Sequence, residues 1–192
     1  MKSTKKQHPY RTACMAVLRE YGTPPHVVGH CKAVAAVGYT LAKALNAAGH
    51  ALDLDLILAA GLLHDMARVE EQHELVAADF CDTRGWGEEA AVIRVHMTYD
   101  RYNDLAHLNE TDIICLSDRM VIEDRYAGLD RRMDYIVAKA HRNGHGEYEP
   151  FIRRKMGEAR KLIDQIEAEI GCSIDELMKD LDYEAPEGEP AV

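Results

Sequence analysis

The stretch GLLHDMAR, residues 61–68, sets a histidine and an aspartate side by side in an apolar run. Burying an ionised carboxylate is costly unless a neighbouring group neutralises it. The surrounding sequence predicts a helix over about Leu52 to Met66, so His64 and Asp65 fall near its end. Adjacent helical residues point about 100° apart, but near a helix end both side chains can lean toward one point between helices. The pair therefore predicts that other helices supply a partner for Asp65.

The sequence on either side of this stretch predicts an almost entirely helical fold. Residues 26–149 contain no proline and the segment is rich in alanine, which favours helices. Thr23 is predicted to cap a helix that begins at Pro24 and runs to Gly49. Further helices are expected over about 52–66, 73–83, 108–123 and 131–142, and another begins after Gly87. A long amphipathic helix is expected to end at Gly171. A short helix with a Ser173–Glu176 capping box follows it. No segment shows a convincing strand alternation.

Length and composition indicate one domain with an acidic surface. The chain has 192 residues and a formal net charge of −10, which argues against nucleic acid or an anionic membrane as the main partner. No signal peptide opens the sequence and the longest apolar run is too short to span a bilayer, so we expect a cytoplasmic protein with reduced cysteines. We expect one helical domain over 1–182 and a disordered acidic tail over 183–192.

Four more polar side chains fall on predicted apolar helix faces. His30 and Asp118 each have apolar residues one turn before and after them, and His73 and His96 lie on similar faces. A histidine in such a place is often a hydrogen-bonded core residue, and an aspartate can pair with an arginine. Taken together with His64 and Asp65, these residues offer several ligands from separate helices.

A divalent metal is the simplest partner for this set. Two imidazoles (His30, His64) and two carboxylates (Asp65, Asp118) suit Mn²⁺, Fe²⁺, Co²⁺, Ni²⁺ or Zn²⁺ better than Ca²⁺ or Mg²⁺. Such a set also leaves coordination positions for water and substrate, as catalytic sites do.

The arrangement resembles the HD-domain superfamily of metal-dependent phosphohydrolases. The likeness is carried by VVGHCKAVA around His30, AGLLHDMAR around His64 and Asp65, and IICLSDRMV around Asp118, and it covers about residues 20–140. It implies an all-α HD-domain helical bundle, here with an added C-terminal amphipathic helix. That helix is expected to pack on the domain, with a homodimer contact as the alternative.

The segments QHELVAADF and AVIRVHMTYD are similar to the two-metal branch of that superfamily, which includes symmetrical dinucleoside tetraphosphatases and HDIG-type phosphodiesterases. By this likeness His73 and His96 hold a second ion and Asp65 bridges the two. The chain departs from the branch at Met66, where isoleucine is usual, and at Arg68, where lysine is common. It has no G-Y-P motif, which argues against the cyclic-di-GMP phosphodiesterases.

The resemblance implies cleavage of a phosphoester or phosphoanhydride in a small phosphorylated compound, with a nucleotide as the first candidate, by a metal-activated water. Asp65, Arg68 and His96 are the predicted catalytic residues: a ligand, a cation that offsets developing charge and a proton carrier. Arg68, Arg119 and His26 are the predicted substrate-binding residues. The chain is expected to carry one or two divalent ions.

Two other functions stay open at this point. Some proteins on the HD scaffold are di-iron oxygenases, and the ligand set alone does not separate them from hydrolases. A metal- or nucleotide-binding module without turnover is the third reading.

Overall fold

The computed structural model describes residues 7–184 and shows a bundle of helices with one short hairpin. The helices are α1 (Arg11–Tyr21), α2 (Pro25–Ala47), α3 (Leu54–Leu63), α4 (His73–Thr83), α5 (Gly87–Val95), α6 (Glu110–Asp118), α7 (Leu129–Arg142), α8 (Glu149–Ile170) and α9 (Ile174–Leu177). Strands β1 (Val121–Ile122) and β2 (Arg125–Tyr126) pair antiparallel, and short 3₁₀ turns span Leu105–His107 and Gly146–Tyr148. The prediction of an all-α fold is confirmed.

Helix α3 lies at the centre of the bundle and its residues enter both halves of the core. One half joins α2, α3, α6 and α8, and the other joins α1, α3, α4 and α5. Every residue from Leu56 to Leu63 is buried, which explains why this helix shows no polar face in the sequence. His64 and Asp65 follow directly after α3. Because this helix is buried, both residues lie in the interior of the bundle.

Close contact between α2 and α3 fixes the position of that pair. A Cβ atom on Gly61 would lie 2.7 Å from the Cα of Ala35, and one on Gly38 would lie 3.2 Å from a methyl group of Ile57. The two backbones therefore approach closely only because both positions are glycine. This contact sets the spacing between His30 on α2 and His64 after α3.

The C-terminal amphipathic helix packs on the domain, as predicted. The buried face of α8 joins the core half formed with α2, α3 and α6 through Met156, Ala159, Leu162, Ile163 and Ile166. The cap at Gly171 has a positive φ of 75°, which glycine adopts without strain. The homodimer alternative stays a prediction.

The predicted start of α2 and both predicted ends of α3 are wrong. Thr23 does not cap α2: Pro24 is the N-cap, and the Thr23 hydroxyl donates to the carbonyl of Met66 over 2.7 Å. Helix α3 begins later than predicted, after Asp53, whose carboxylate accepts from the backbone N–H groups of residues 55 and 56. It also ends at Leu63 rather than Met66, and turns carry the chain from 64 to 72.

The predicted helix over 108–123 is also wrong at both ends. Helix α6 begins at Glu110 behind an Asn109 capping box and stops at Asp118, and the β1–β2 hairpin follows. Glu123 in the hairpin turn has φ of 52°, a left-handed conformation that no helix accommodates. Strands of two residues are too short to show alternation in the sequence, so the hairpin was missed. Helix α1 was not predicted either.

Residues 183 and 184, the first two of the predicted C-terminal tail, both contact the domain. Tyr183 accepts a hydrogen bond from the backbone N–H of Tyr126, and the Glu184 carboxylate pairs with Arg11 at 2.8 Å and with Lys32. Residues 185–192 of the predicted tail lie outside the described residues.

The sequence predicted reduced cysteines and no apolar run long enough to span a bilayer. All five cysteines are free, and four of them are buried. In the part of the chain that the structure describes, no helix combines the length and the apolar character that crossing a membrane requires.

Candidate metal centre

Asp65 lies at the meeting point of four histidines from different elements. Its Oδ2 atom is 3.8 Å from the Nε2 of His30 on α2 and 3.7 Å from the Nε2 of His64. Its Oδ1 atom is 3.0 Å from the Nε2 of His73, the first residue of α4, and 3.4 Å from the Nε2 of His96, which follows α5. Each carboxylate oxygen therefore faces its own pair of imidazoles.

Backbone carbonyls orient three of these rings. The Nδ1 atom of His30 donates to the carbonyl of Glu123 over 2.8 Å, that of His64 to Gly61 over 2.8 Å, and that of His96 to Ile93 over 2.7 Å. A carbonyl only accepts, so Nδ1 carries a proton in each ring, and in the neutral form of the ring the lone pair lies on Nε2. This tautomer presents Nε2 as a metal ligand, with the orienting contact that such ligands usually have.

Two of the buried Nε2 atoms lack a hydrogen-bond partner. Among residues 7–184, the Nε2 atoms of His64 and His96 are buried without a hydrogen-bond partner. Such an atom costs about 1–3 kcal/mol when it is left unsatisfied in a protein interior. A metal ion at the centre would satisfy both lone pairs.

The described residues contain two groups of ligand atoms close enough to hold an ion. Within each group all atoms lie within 4.8 Å of one another; the first is His30, His64 and Asp65, and the second is Asp65, His73 and His96. The groups share Asp65. All six predicted metal ligands except Asp118 thus belong to one of the two groups.

Asp118 lies beside the first group and makes contact with it. Its Oδ1 atom is 3.0 Å from the Nε2 of His30 and 4.0 Å from an Nη atom of Arg132. Burial alone would raise the pKa of Asp118, but the hydrogen bond and charge of His30 hold it below its usual range. The carboxylate is therefore ionised and available as a further ligand on the side of His30.

The charges of the centre favour a bound cation. Burial would raise the pKa of Asp65, but contacts with the imidazoles of His73 and His96 and the charge of Arg68 hold it well below its usual range. Burial lowers the pKa of His64 to about 4, so this ring is neutral at pH 7. The pKa values of His30 and His96 are raised, because Asp118 and Asp65 outweigh the effect of burial. The carboxylates thus attract positive charge, and a metal ion would displace those protons.

The predicted substrate-binding residues all line a cleft that opens onto this centre. Arg68 reaches 3.3 Å from the Oδ1 of Asp65 and 3.0 Å from the Nε2 of His73, and its side chain is 42% exposed. His26 is exposed one turn before His30. Arg119 is buried and donates to the hydroxyl of Tyr102 and to the carbonyl of Tyr99. Its donors are therefore engaged by other residues of the protein.

Two features of the site were missed in the sequence. The cleft has a volume of about 1010 Å³, and α7 and α8 supply much of its wall through Arg132, Tyr135, Lys139, Phe151 and Lys155. The spacing of these residues places them on one face of each helix. The sequence does not indicate that this face, rather than another polar face, lies against the metal centre.

The second missed feature is Asp112, which is fully buried on α6. Its carboxylate accepts from the Tyr99 hydroxyl, from the backbone and side-chain N–H groups of Asn103, and from the backbone N–H of Asn109. These bonds hold the loop between α5 and α6 beside the cleft. The donors to this buried carboxylate are neutral groups, whereas the neighbours of Asp65 are imidazoles and the guanidinium of Arg68.

Comparison with known proteins identifies one family. The family model for the HD domain matches residues 27–167. An uncharacterized protein of Methanocaldococcus jannaschii is 37% identical over 71 residues, which are 35% of this chain and 42% of that protein. A tRNA (cytidine(56)-2'-O)-methyltransferase of Thermoplasma volcanium is 32% identical over 80 residues, 40% of this chain and 22% of that protein. The chain thus spans less than half the length of each of these relatives, and no solved structure matches it significantly.

Proposed function

The chain belongs to the HD domain family, a superfamily of metal-dependent hydrolase type, and from this we propose that it hydrolyses a small phosphorylated compound. The bond is a phosphoester or a phosphoanhydride, and a nucleotide is the first candidate substrate. The observation that carries the proposal is the pair of ligand groups that share Asp65 and contain buried, unpartnered Nε2 atoms.

Two divalent ions per chain fit these ligand groups best. His30, His64 and Asp118 would hold one ion, His73 and His96 the other, and Asp65 would bridge them through its two oxygens. The mixed nitrogen and oxygen set suits Mn²⁺, Fe²⁺, Co²⁺, Ni²⁺ or Zn²⁺. This division supports the likeness to the two-metal branch of the superfamily, in which Asp65 is the shared ligand.

The protein residues contribute positioning, charge and proton transfer. When bound, the ions lower the pKa of a coordinated water and neutralise charge on the phosphoryl group. Arg68, at the open side of the centre, stabilises the negative charge that develops on the phosphoryl oxygens. His96 serves as a ligand in this arrangement, so the exposed His26 on the cleft rim is the remaining imidazole that can carry a proton to the leaving group.

The test combines elemental analysis with phosphate release from a panel of nucleotides. We expect the purified protein to contain transition metal and to release phosphate from part of the panel, and Asp65→Ala to lose both while its helical circular dichroism persists. The control is His107→Ala, because His107 is 77% exposed and pairs only with the exposed Asp104. A metal-replete Asp65→Ala protein with full activity contradicts the proposal.

The panel also separates the two rival functions. A metal-loaded protein that releases no phosphate but consumes O₂ with iron bound is an oxygenase. A metal-loaded protein that does neither is a binding module.

A further inference from the structure

We infer that Arg132 on α7 and Lys155 on α8 form a phosphate-binding clamp beside Asp118, next to an aromatic wall that receives a nucleoside. This inference rests on the proposed function and deepens it, because it assigns the substrate class to nucleoside phosphates rather than to inorganic polyphosphate or sugar phosphates. Neither residue belongs to the ligand groups.

Arg132 lines the cleft and has one donor without a hydrogen-bond partner. Its Nε atom is buried and has no hydrogen-bond partner among the described residues, and its nearest carboxylate oxygen, on Asp118, is 4.0 Å away. An unsatisfied buried donor on a charged group costs more than a neutral one. If Asp118 serves as a metal ligand, its charge is shared with the ion and Arg132 retains no anionic partner. A phosphate at the centre lies within reach of this guanidinium, which suits phosphate geometry.

Lys155 approaches the same place from the other helix. Its ammonium donates to the carbonyl of Met97 over 3.3 Å, and no carboxylate oxygen of the described residues lies within 4.0 Å of it, although Asp100 and Asp118 are near enough to act on its charge. Burial lowers its pKa, and the nearby Arg119 acts in the same direction. Lys155 and Arg132 both line the cleft beside Asp118, so an anion bound at this point would contact both cations.

Three of the four cations on α8 that lie outside the cleft pair with carboxylates, whereas the guanidinium of Arg154 lies 5.2 Å from the ring centre of Phe151. Arg153 pairs with Glu149 at 2.7 Å, Arg160 pairs with Asp130, and Lys161 pairs with Glu158 at 2.7 Å. The protein carries a net charge of −10, so carboxylates are abundant. Lys155, which lines the cleft, therefore lacks a carboxylate partner although carboxylates are abundant in the protein.

Each cation has an aromatic ring as a neighbour. The guanidinium of Arg132 lies 5.8 Å from the ring centre of Tyr135, and the ammonium of Lys155 lies 5.6 Å from that of Phe151. Phe151 is 46% exposed, although it lines the cleft, and Ile136 and Ile152 extend the same apolar surface. An exposed aromatic ring beside a phosphate-binding cation fits a nucleobase, which stacks on the ring while its phosphate contacts the cation.

Equilibrium binding tests the clamp independently of turnover. The probes are the 5′-phosphonate analogue of AMP, in which carbon replaces the bridging oxygen so that it resists cleavage, together with adenosine and inorganic phosphate. For the metal-loaded protein we expect the analogue to bind more tightly than either fragment. Arg132→Gln should weaken the analogue about tenfold or more, since a hydrogen bond to a charged group contributes about 1.5–3 kcal/mol. Lys155→Ala should weaken it several-fold, and Phe151→Ala should weaken the analogue and adenosine but not phosphate.

The matched controls are Arg131→Gln and Lys161→Ala, which remove the same charges from the same helices outside the cleft. They should leave all three affinities unchanged. Loss of analogue binding in Arg132→Gln with no phosphate release from any nucleotide supports the clamp and refutes the hydrolase. Nucleotide hydrolysis with unchanged KM and kcat in Arg132→Gln and Lys155→Ala supports the hydrolase and refutes the clamp. An analogue that fails to bind the wild-type protein, or that binds no better than inorganic phosphate, also overturns the inference.

Discussion

At the scale of single residues, Asp65 is the side chain on which both ligand groups depend. Each of its oxygens faces one pair of imidazoles, with contacts of 3.0–3.8 Å. Loss of this residue removes a ligand from both groups, whereas loss of one histidine removes a ligand from one. The contribution of each group can therefore be measured separately.

Substitution of a single histidine should remove one of the two metal ions. We expect His64→Ala to lower the content from two ions per chain to about one by disabling the first group, and His73→Ala to do the same through the second. The double variant should contain almost none. Elemental analysis after gel filtration measures this, with His107→Ala as the control. Two ions retained in both single variants would contradict the assignment of the groups.

Residue patterns predicted the ligands better than the substrate contacts. His30, His64 and Asp118 stood out because a polar side chain on an apolar face needs an explanation. Arg132 did not stand out, since an arginine on an amphipathic helix is usually solvated. Its role follows from its buried, unpartnered Nε atom, and burial of one atom is a property of the packed structure alone.

At the scale of elements, the contact between α2 and α3 affects both the stability of the fold and the position of a metal ligand. Gly61 lies against the backbone of Ala35, and the Gly61 carbonyl also accepts the hydrogen bond that orients His64. A larger residue must push the helices apart and move this carbonyl. Packing and metal binding are thus coupled at one position.

Gly61→Ala should therefore weaken both folding and metal binding. The added methyl group would lie 2.7 Å from the Cα of Ala35, and overpacking of this kind costs about 1–3 kcal/mol of unfolding free energy. The control is Gly157→Ala on α8, where no atom lies within 4 Å of the new methyl group. It should stabilise the protein by about 0.5–1 kcal/mol, because alanine is the better helix former. Urea unfolding and metal titration measure the two effects; equal stability of both variants would refute the packing argument.

The N-terminal segment is joined to α3 and α5 by one buried histidine. His8 precedes α1; its Nδ1 atom lies 2.6 Å from Glu89, and its Nε2 atom lies 3.3 Å from Asp53 and 3.6 Å from Glu88. Burial alone would lower the pKa of His8, but these three carboxylates outweigh it and the pKa is raised. The protonated ring is therefore the form that stabilises the fold.

This contact should make stability depend on pH. Because the folded pKa of His8 lies above the value of 6.5 for an unfolded chain, its contribution is fully present below pH 6.5 and is lost as pH rises through the folded pKa. The difference in unfolding free energy between the wild type and His8→Gln should be larger at pH 6 than at pH 9. Urea unfolding at both pH values measures it, with His107→Gln as a reference. A difference that grows with pH would reverse the proposed sign.

The elements themselves were predicted to different degrees. The end of α8 was predicted at Gly171, which is its C-cap, because an amphipathic face and a C-cap glycine agree there. The β1–β2 hairpin was not, since its strands have two residues each. Helix α1 does space Cys14, Val17, Leu18 and Tyr21 at helical intervals, so its signal was present in the sequence.

At the scale of the whole molecule, the metal centre joins elements from both halves of the core. His30 comes from α2, His64 and Asp65 follow α3, His73 begins α4, and His96 follows α5. Ions that bind this arrangement and not the unfolded chain stabilise the fold by mass action. The buried ligand atoms are also left unsatisfied when the ions are removed. Metal should therefore contribute to the stability of the entire bundle.

Removal of metal should lower the melting temperature of the wild type, and return of Mn²⁺ or Zn²⁺ should restore it. At a free ion concentration 100 times the Kd, one site contributes about 2.7 kcal/mol. Asp65→Ala, which lacks the shared ligand, should melt at the same temperature with and without metal. His107→Ala should respond as the wild type does, because its ring is exposed and belongs to neither ligand group. Differential scanning calorimetry after dialysis against a chelator makes the comparison. A metal-dependent shift in Asp65→Ala equal to that of the wild type would place the stabilising ion at a different site.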